Sequence, residues 1–260
     1  MNDPQFPVAD AYLARPASRL LDDFGAGKAS PGSGSAAALM GLLAVKLIRT
    51  VCMKSLEKEQ CRAARPTLEH VLEQVTRIEP TLVDLFEKDA REFEEVVKLR
   101  VERDVATSPE DRMRLTRRAN ALLETATDNA FAIIDACLPL IGHGVQVFQV
   151  GWGAVRGDSG AAISSAIAAV MSAIFITNLN LKSLGGRRYA RDNIVRCADF
   201  YAKLQERQAS AFQCVTSLNA EALEAVQLEL FEAGAGMAAA PEDLGPPVEG
   251  SGTEPAADKL

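Results

Sequence analysis

Asp89 is a carboxylate where a carboxylate needs a reason. It falls in the series Leu82, Leu85, Phe86, Asp89, Phe93, Val96, Val97, whose helical spacing marks one apolar face. A charge buried there uncompensated costs several kcal/mol, so the group must be paired, protonated or used for chemistry. A proton-transfer group fits, and so does a buried ion pair with Arg117 or Arg187. Asp158 is a second candidate, between glycines at a helix start where Asp is also a common cap. Asn180 follows 22 residues later on the same helix, about 33 Å away if that helix is continuous. The two therefore cannot share one small ligand within a subunit. Lys182 and Gly185-Gly186-Arg187-Arg188 place cations beside flexible backbone, suited to a carboxylate or phosphate. Glycine capping with cations at the negative end of a helix explains the same residues.

The block Ala29-Ser30-Pro31-Gly32-Ser33-Gly34-Ser35-Ala36-Ala37-Ala38 leads a turn into a helix of very small side chains. Ser33 or Ser35 is placed to cap that helix. Its free N–H groups and positive dipole end suit an anion. Gly34, Ala38, Gly41 and Ala44 form a stripe that lets a second backbone come close, so a tight helix crossing is the competing reading. Two nucleotide motifs fail. Gly25-Ala26-Gly27-Lys28-Ala29-Ser30 lacks the first glycine and the Ser/Thr of a phosphate loop, and Gly32-Ser33-Gly34 with Ala37 follows no strand. His70 lies on a charged helix and His143 in a glycine-flanked turn, so no Ser/His/Asp triad is supported.

The elements that position these residues read as helix after helix, without hairpin signals or sustained alternation. A short helix covers about 17–24 and the small-residue helix runs to about Met53. Arg65-Pro66-Thr67 opens a long helical stretch in which Pro80 marks a kink or restart. Ser108-Pro109-Glu110-Asp111 combines cap, proline and acids at a helix start. That helix is expected to reach about Ile141, stopped by Gly142-His143-Gly144. The next starts at Gly157-Asp158-Ser159-Gly160 and reaches about Leu184. The last spans about 188–233, with a possible restart at Asn219. An all-α antiparallel bundle of long helices follows. Residues 1–16 are expected to be irregular, 17–233 to form the helical domain, and 234–260, rich in Ala, Gly, Pro and Glu, to be a disordered tail.

Composition narrows function further. The 260 residues carry a net charge of −7, which argues against nucleic acid and anionic membrane as partners. Five scattered cysteines without a CxxC pair, and two histidines, offer neither a disulfide framework nor a metal site. Met-Asn-Asp-Pro-Gln has no basic region followed by an apolar run, so a cytoplasmic location is expected. Ala161–Leu179 is the one membrane-like segment, and its five polar residues fit a central buried helix better.

The chain resembles the cyclodeaminase domain of formiminotransferase-cyclodeaminase and its stand-alone relatives, including methenyltetrahydrofolate cyclohydrolases. The resemblance rests on Leu20-Leu21-Asp22, the Ser30–Ala38 block, Asp89-Ala90 with Phe93, Asp158 with Gly160-Ala161-Ala162, and Asn180-Leu181-Lys182-Ser183-Leu184. It implies a cyclodeaminase-like homodimer acting on a tetrahydrofolate derivative, with no cofactor beyond that one-carbon carrier and no metal. By that resemblance Asp89 moves protons and Ser33, Gly34 and Ser35 line the pocket. Asp158 and Asn180 frame the ligand across the dimer, and Lys182 or Arg187 binds its glutamyl tail. The chain departs from the family pattern at Ser33, at Trp152 and Ala154, and at Ile176 and Asn178. The implied activity is a C–N lyase (cyclodeaminase) or C–N hydrolase (cyclohydrolase). The alternatives are a same-fold protein acting on another small molecule and a non-catalytic helical dimer or scaffold subunit.

Overall fold

The computed structural model describes residues 11–238, with side chains through residue 228. The chain divides into two units, Met1–Thr216 and Ser217–Leu260. The first holds the site. Of the second, the described part is helical up to Ala238. Residues 1–10 and 239–260, which include most of the expected terminal segments, lie outside the described residues.

Six α-helices are described: α1 (Ala17–Gly25), α2 (Ser33–Leu56), α3 (Arg65–Val105), α4 (Pro109–Val150), α5 (Arg156–Ser183) and α6 (Arg188–Ala238). Short 3-10 turns precede α1, α3 and α5, and there is no strand among the described residues. The fold class is all-α, as expected.

Side-chain bonds give the directions of the bundle. Ser35 bonds Asp89 and Lys46 pairs with Glu79, so α2 and α3 run antiparallel. Trp152 N donates to Ser55 Oγ at 2.8 Å, tying the start of α5 to the end of α2. With equal rise per residue, α5 then climbs back along α2 until Asn180 is level with the start of that helix. Within the first unit, α6 runs parallel to α4, since Tyr189, Arg196 and Arg207 meet Asp128, Asp135 and Gly142 in turn. The core is contributed by α2 to α6, with Phe86, Phe131, Leu68, Leu82, Ile133 and Ile134 fully enclosed.

Helix starts match the local signals better than helix ends. Ser108 caps α4, its Oγ accepting from Asp111 N. Several expectations are corrected. Gly142-His143-Gly144 does not stop α4, which continues to Val150. Gly144 is there because a Cβ would stand 2.6 Å from Ile163 Cγ1 of α5. His143 accordingly lies inside a helix, not a turn. Pro80 is interior to one continuous α3, at an exposed position where water can satisfy the carbonyl that loses its helical donor. Asn219 restarts nothing in α6. The α5 helix is not a centrally buried rod. One face carries Ala162, Ala166, Ala169, Ala173, Thr177 and Asn180 inward, while Phe175 and Leu179 are 65% and 62% exposed on another. By length and composition α2, α4 and the segment 153–183 are each apolar enough to cross a membrane, and about half of each apolar window is covered within the bundle.

Candidate active site

The start of α2 receives an anion, and that anion belongs to the chain. Asp89, buried on α3, accepts from the backbone N–H of Ser35 at 2.6 Å and from its Oγ at 2.9 Å. Both donors reach Oδ2. The N-cap position of α2 is Gly32, with no side-chain capping bond, so neither Ser33 nor Ser35 caps the helix. Asp89 does so from 54 residues away, placing a carboxylate at the positive end of the helix. The block makes a further bond to the same strip of α3, Ser30 Oγ donating to the carbonyl of Ala90.

Gly34 makes this approach possible. A Cβ there would lie 2.0 Å from Asp89 Oδ1 and 2.4 Å from its Cγ. At its two glycines the small-residue stripe admits side chains, for Gly41 likewise faces Cys137 Sγ and Leu82. No ion pair neutralises Asp89 among the described residues. Arg187 Nε is held by Glu124 Oε1 at 2.6 Å, and Arg117 is exposed and bonds Met113 Sδ. Burial pushes the proton affinity of Asp89 above the ordinary carboxylate range, against the opposing pull of the two Ser35 donors.

The other expected residues spread along the bundle. Ser33 is exposed at the mouth of α2, beside buried Gly34 and Ser35. Asn180 is 8% exposed, and its buried Nδ2 has no hydrogen-bond partner. Lys182 is exposed. Arg187 joins this end through Glu124, one turn and a little more from Asn129, which itself meets α3. Asp158 lies in the first turn of α5 but does not cap it, the N-cap being Val155. It stands at the opposite end of the bundle, six residues beyond the Trp152 that bonds Ser55. A cavity of about 170 Å³ lies at that far end, lined by Leu56, Lys58, Cys61, Arg62 and Arg65. Its arginines are paired, Arg62 with Glu59 and Arg65 with Glu69. The described residues contain no cluster of three or more His, Cys, Asp or Glu that could hold a metal.

Two polar residues at this end are not evident from the sequence. Glu92 of α3 accepts from Asn129 Nδ2 of α4 at 2.5 Å. The available signal is the spacing of Glu92, three residues beyond Asp89; nothing local marks Asn129 as its partner.

The helical fold is shared with known proteins. The fold matches the crystal structure of formiminotetrahydrofolate cyclodeaminase from Thermotoga maritima, with a TM-score of 0.66 and 17% identity, covering 78% of this chain and 97% of that one. A methenyltetrahydrofolate cyclohydrolase from Methylorubrum extorquens is 25% identical over 197 residues, which span 76% of this chain and 94% of the relative. Residues 16–199 match the formiminotransferase-cyclodeaminase family, and the chain belongs to it.

Proposed function

We propose that the chain is a folate one-carbon enzyme of the cyclodeaminase or methenyltetrahydrofolate cyclohydrolase type. Family membership supports the substrate class. The observation that carries the chemistry is Asp89, a buried carboxylate with raised proton affinity and no cationic partner among the described residues. In the cyclodeaminase reaction N10 of formimino-tetrahydrofolate attacks the formimino carbon and ammonia leaves. In the cyclohydrolase reaction water adds to the methenyl carbon. Both require a proton to leave one atom and reach another, which a carboxyl poised above its usual range performs well. Neither reaction calls for a metal or redox cofactor.

Ser33, Gly34 and Ser35 would wall the pocket. Asn180 brings a buried amide with an unused donor, suited to a pterin acceptor. Arg187 is engaged by Glu124, so the glutamyl tail falls first to Lys182. Asp158 is too far along α5 to reach the same ligand in one subunit. It takes part only in a homodimer whose α5 helices pair antiparallel, and exposed Phe175 and Leu179 support such a pairing. A cytoplasmic setting suits the five buried free cysteines.

The scaffold alternative keeps one specific observation: capping α2 would by itself give Asp89 a structural role. Titration calorimetry with methenyl- and formimino-tetrahydrofolate, followed by absorbance of the methenyl form, separates the readings. Binding and turnover are expected. Asp89→Asn should lower turnover by at least about 10²-fold with its circular dichroism unchanged. Absence of binding sinks the folate reading, and an unchanged rate removes Asp89 from the mechanism.

A further inference from the structure

A second carboxylate stands beside the first. Asp89 and Glu92 are three residues apart on α3, a spacing that brings side chains to one side of a helix with Cβ atoms about 5–6 Å apart. Glu92 is half-buried, and Asn129 holds its Oε2 across the α3–α4 contact at 2.5 Å. Its hydrogen-bond partner is a neutral amide, which fixes the carboxylate without cancelling its charge. The charged groups bearing on Glu92 are Lys88, Asp89 and Asp84 of its own helix; from α4 it meets the Asn129 amide. Burial is the largest influence and raises its proton affinity. The charges of Asp89 and Asp84 add to this, while Asn129 and Lys88 oppose it.

We propose that Glu92 is the second proton-transfer group of the Asp89 site, held in position by Asn129. The proposal rests on the one-carbon reading above. Two separate proton transfers are what cyclodeamination needs. The N10 lone pair forms the bond to the formimino carbon of the protonated formimino group, and the N10 proton passes to ionised Asp89. The bond from that carbon to the amino nitrogen then breaks, its electron pair leaving with nitrogen, which takes the proton of Glu92 and departs as ammonia. The N5 lone pair completes the methenyl cation. Asp89 ends protonated and Glu92 ionised, so one proton exchanged through solvent resets the pair. Asp89 is the group to ionise first, because the Ser35 N–H and Oγ donors at the positive end of α2 favour its charged form, and its charge then helps Glu92 keep its proton.

The test is the pH profile of formimino-tetrahydrofolate turnover by the full chain. Glu92→Gln keeps an acceptor for Asn129 and should lower kcat by about 10²-fold, leave KM within about twofold, and abolish the fall in rate at high pH that reports loss of the acid's proton. Asn129→Ala removes the donor that favours ionised Glu92, so the high-pH limb should move upward. A Glu92→Gln variant with wild-type rate and both limbs intact overturns the proposal. If that variant does not fold, an unshifted limb in Asn129→Ala overturns it instead. Failure of the wild-type chain to turn over either folate overturns the underlying reading, a different result from wild-type activity that ignores Glu92.

Discussion

At the scale of single residues, the site is a carboxylate working against its environment. Its ordinary value is 3.8, and burial raises it in the folded chain. The folded state therefore holds this proton more tightly than the unfolded state. Where the two differ, the folded form binds more protons and stability falls as pH rises. Asp89→Asn removes that dependence. Urea denaturation of both proteins between about pH 4 and pH 8 should show the stability of the variant gaining on that of the wild type as pH rises from the ordinary carboxylate value through the raised one. A constant difference would mean that Asp89 titrates normally. Glu92 has the same sign of shift, part of it from the Asp89 charge, so the difference reports Asp89 together with its coupling to Glu92. Asp89 was legible in the sequence because it interrupts an apolar stripe. Its partner was not. Ser35 lies 54 residues away, and an arginine was the expected counterpart because charge pairing is the more familiar remedy for a buried acid. The helix end supplied a remedy that pattern alone does not reveal.

At the scale of elements, the starts were readable and the end of α4 was not, for a physical reason. A cap such as Ser108 and a proline such as Pro109 act on backbone a few residues away. A glycine inside a helix answers to whatever packs against it, which local sequence does not contain. Gly144 and Gly160 make the contrast measurable. Replacing a helical glycine by alanine gains about 1 kcal/mol of intrinsic propensity. At Gly160 nothing lies within 4 Å of an added Cβ, so Gly160→Ala should raise the unfolding free energy by up to that amount and move the urea midpoint upward. At Gly144 the same atom meets Ile163 Cγ1 at 2.6 Å, and overpacking costs about 1–3 kcal/mol. Gly144→Ala should therefore lower the midpoint. The same sign at both positions would mean that glycine serves α4 only as a point of low propensity.

At the scale of the whole molecule, ordered motifs identified the family while no single motif did. The Ser30–Ala38 block and Asp89-Ala90 come together in the fold, with Asn180 level with them, but Asp158 sits at the other end of α5. That separation makes oligomerisation a requirement of the proposed chemistry if Asp158 has a part in it. Leu43 on α2 with Phe175 and Leu179 on α5 are all more than half exposed, and the proposed dimer would bury Phe175 and Leu179. Light scattering should give a dimer for the wild-type chain and a monomer for Phe175→Glu, with folate turnover lost in the monomer. A wild-type monomer that is fully active would leave Asp158 outside the site.

The bond from Asp89 to Ser35 has a consequence for partly folded chains. The raised proton affinity comes from burial, and α2 supplies part of that cover where Gly34 lies against the carboxylate, so it needs α2 and α3 docked. A chain newly made, or one whose α2 has loosened, displays an ordinary solvated aspartate that gives its proton up to water. Reactivity thus exists only while α2 and α3 are docked, so the rate of turnover doubles as a gauge of whether these two helices are joined.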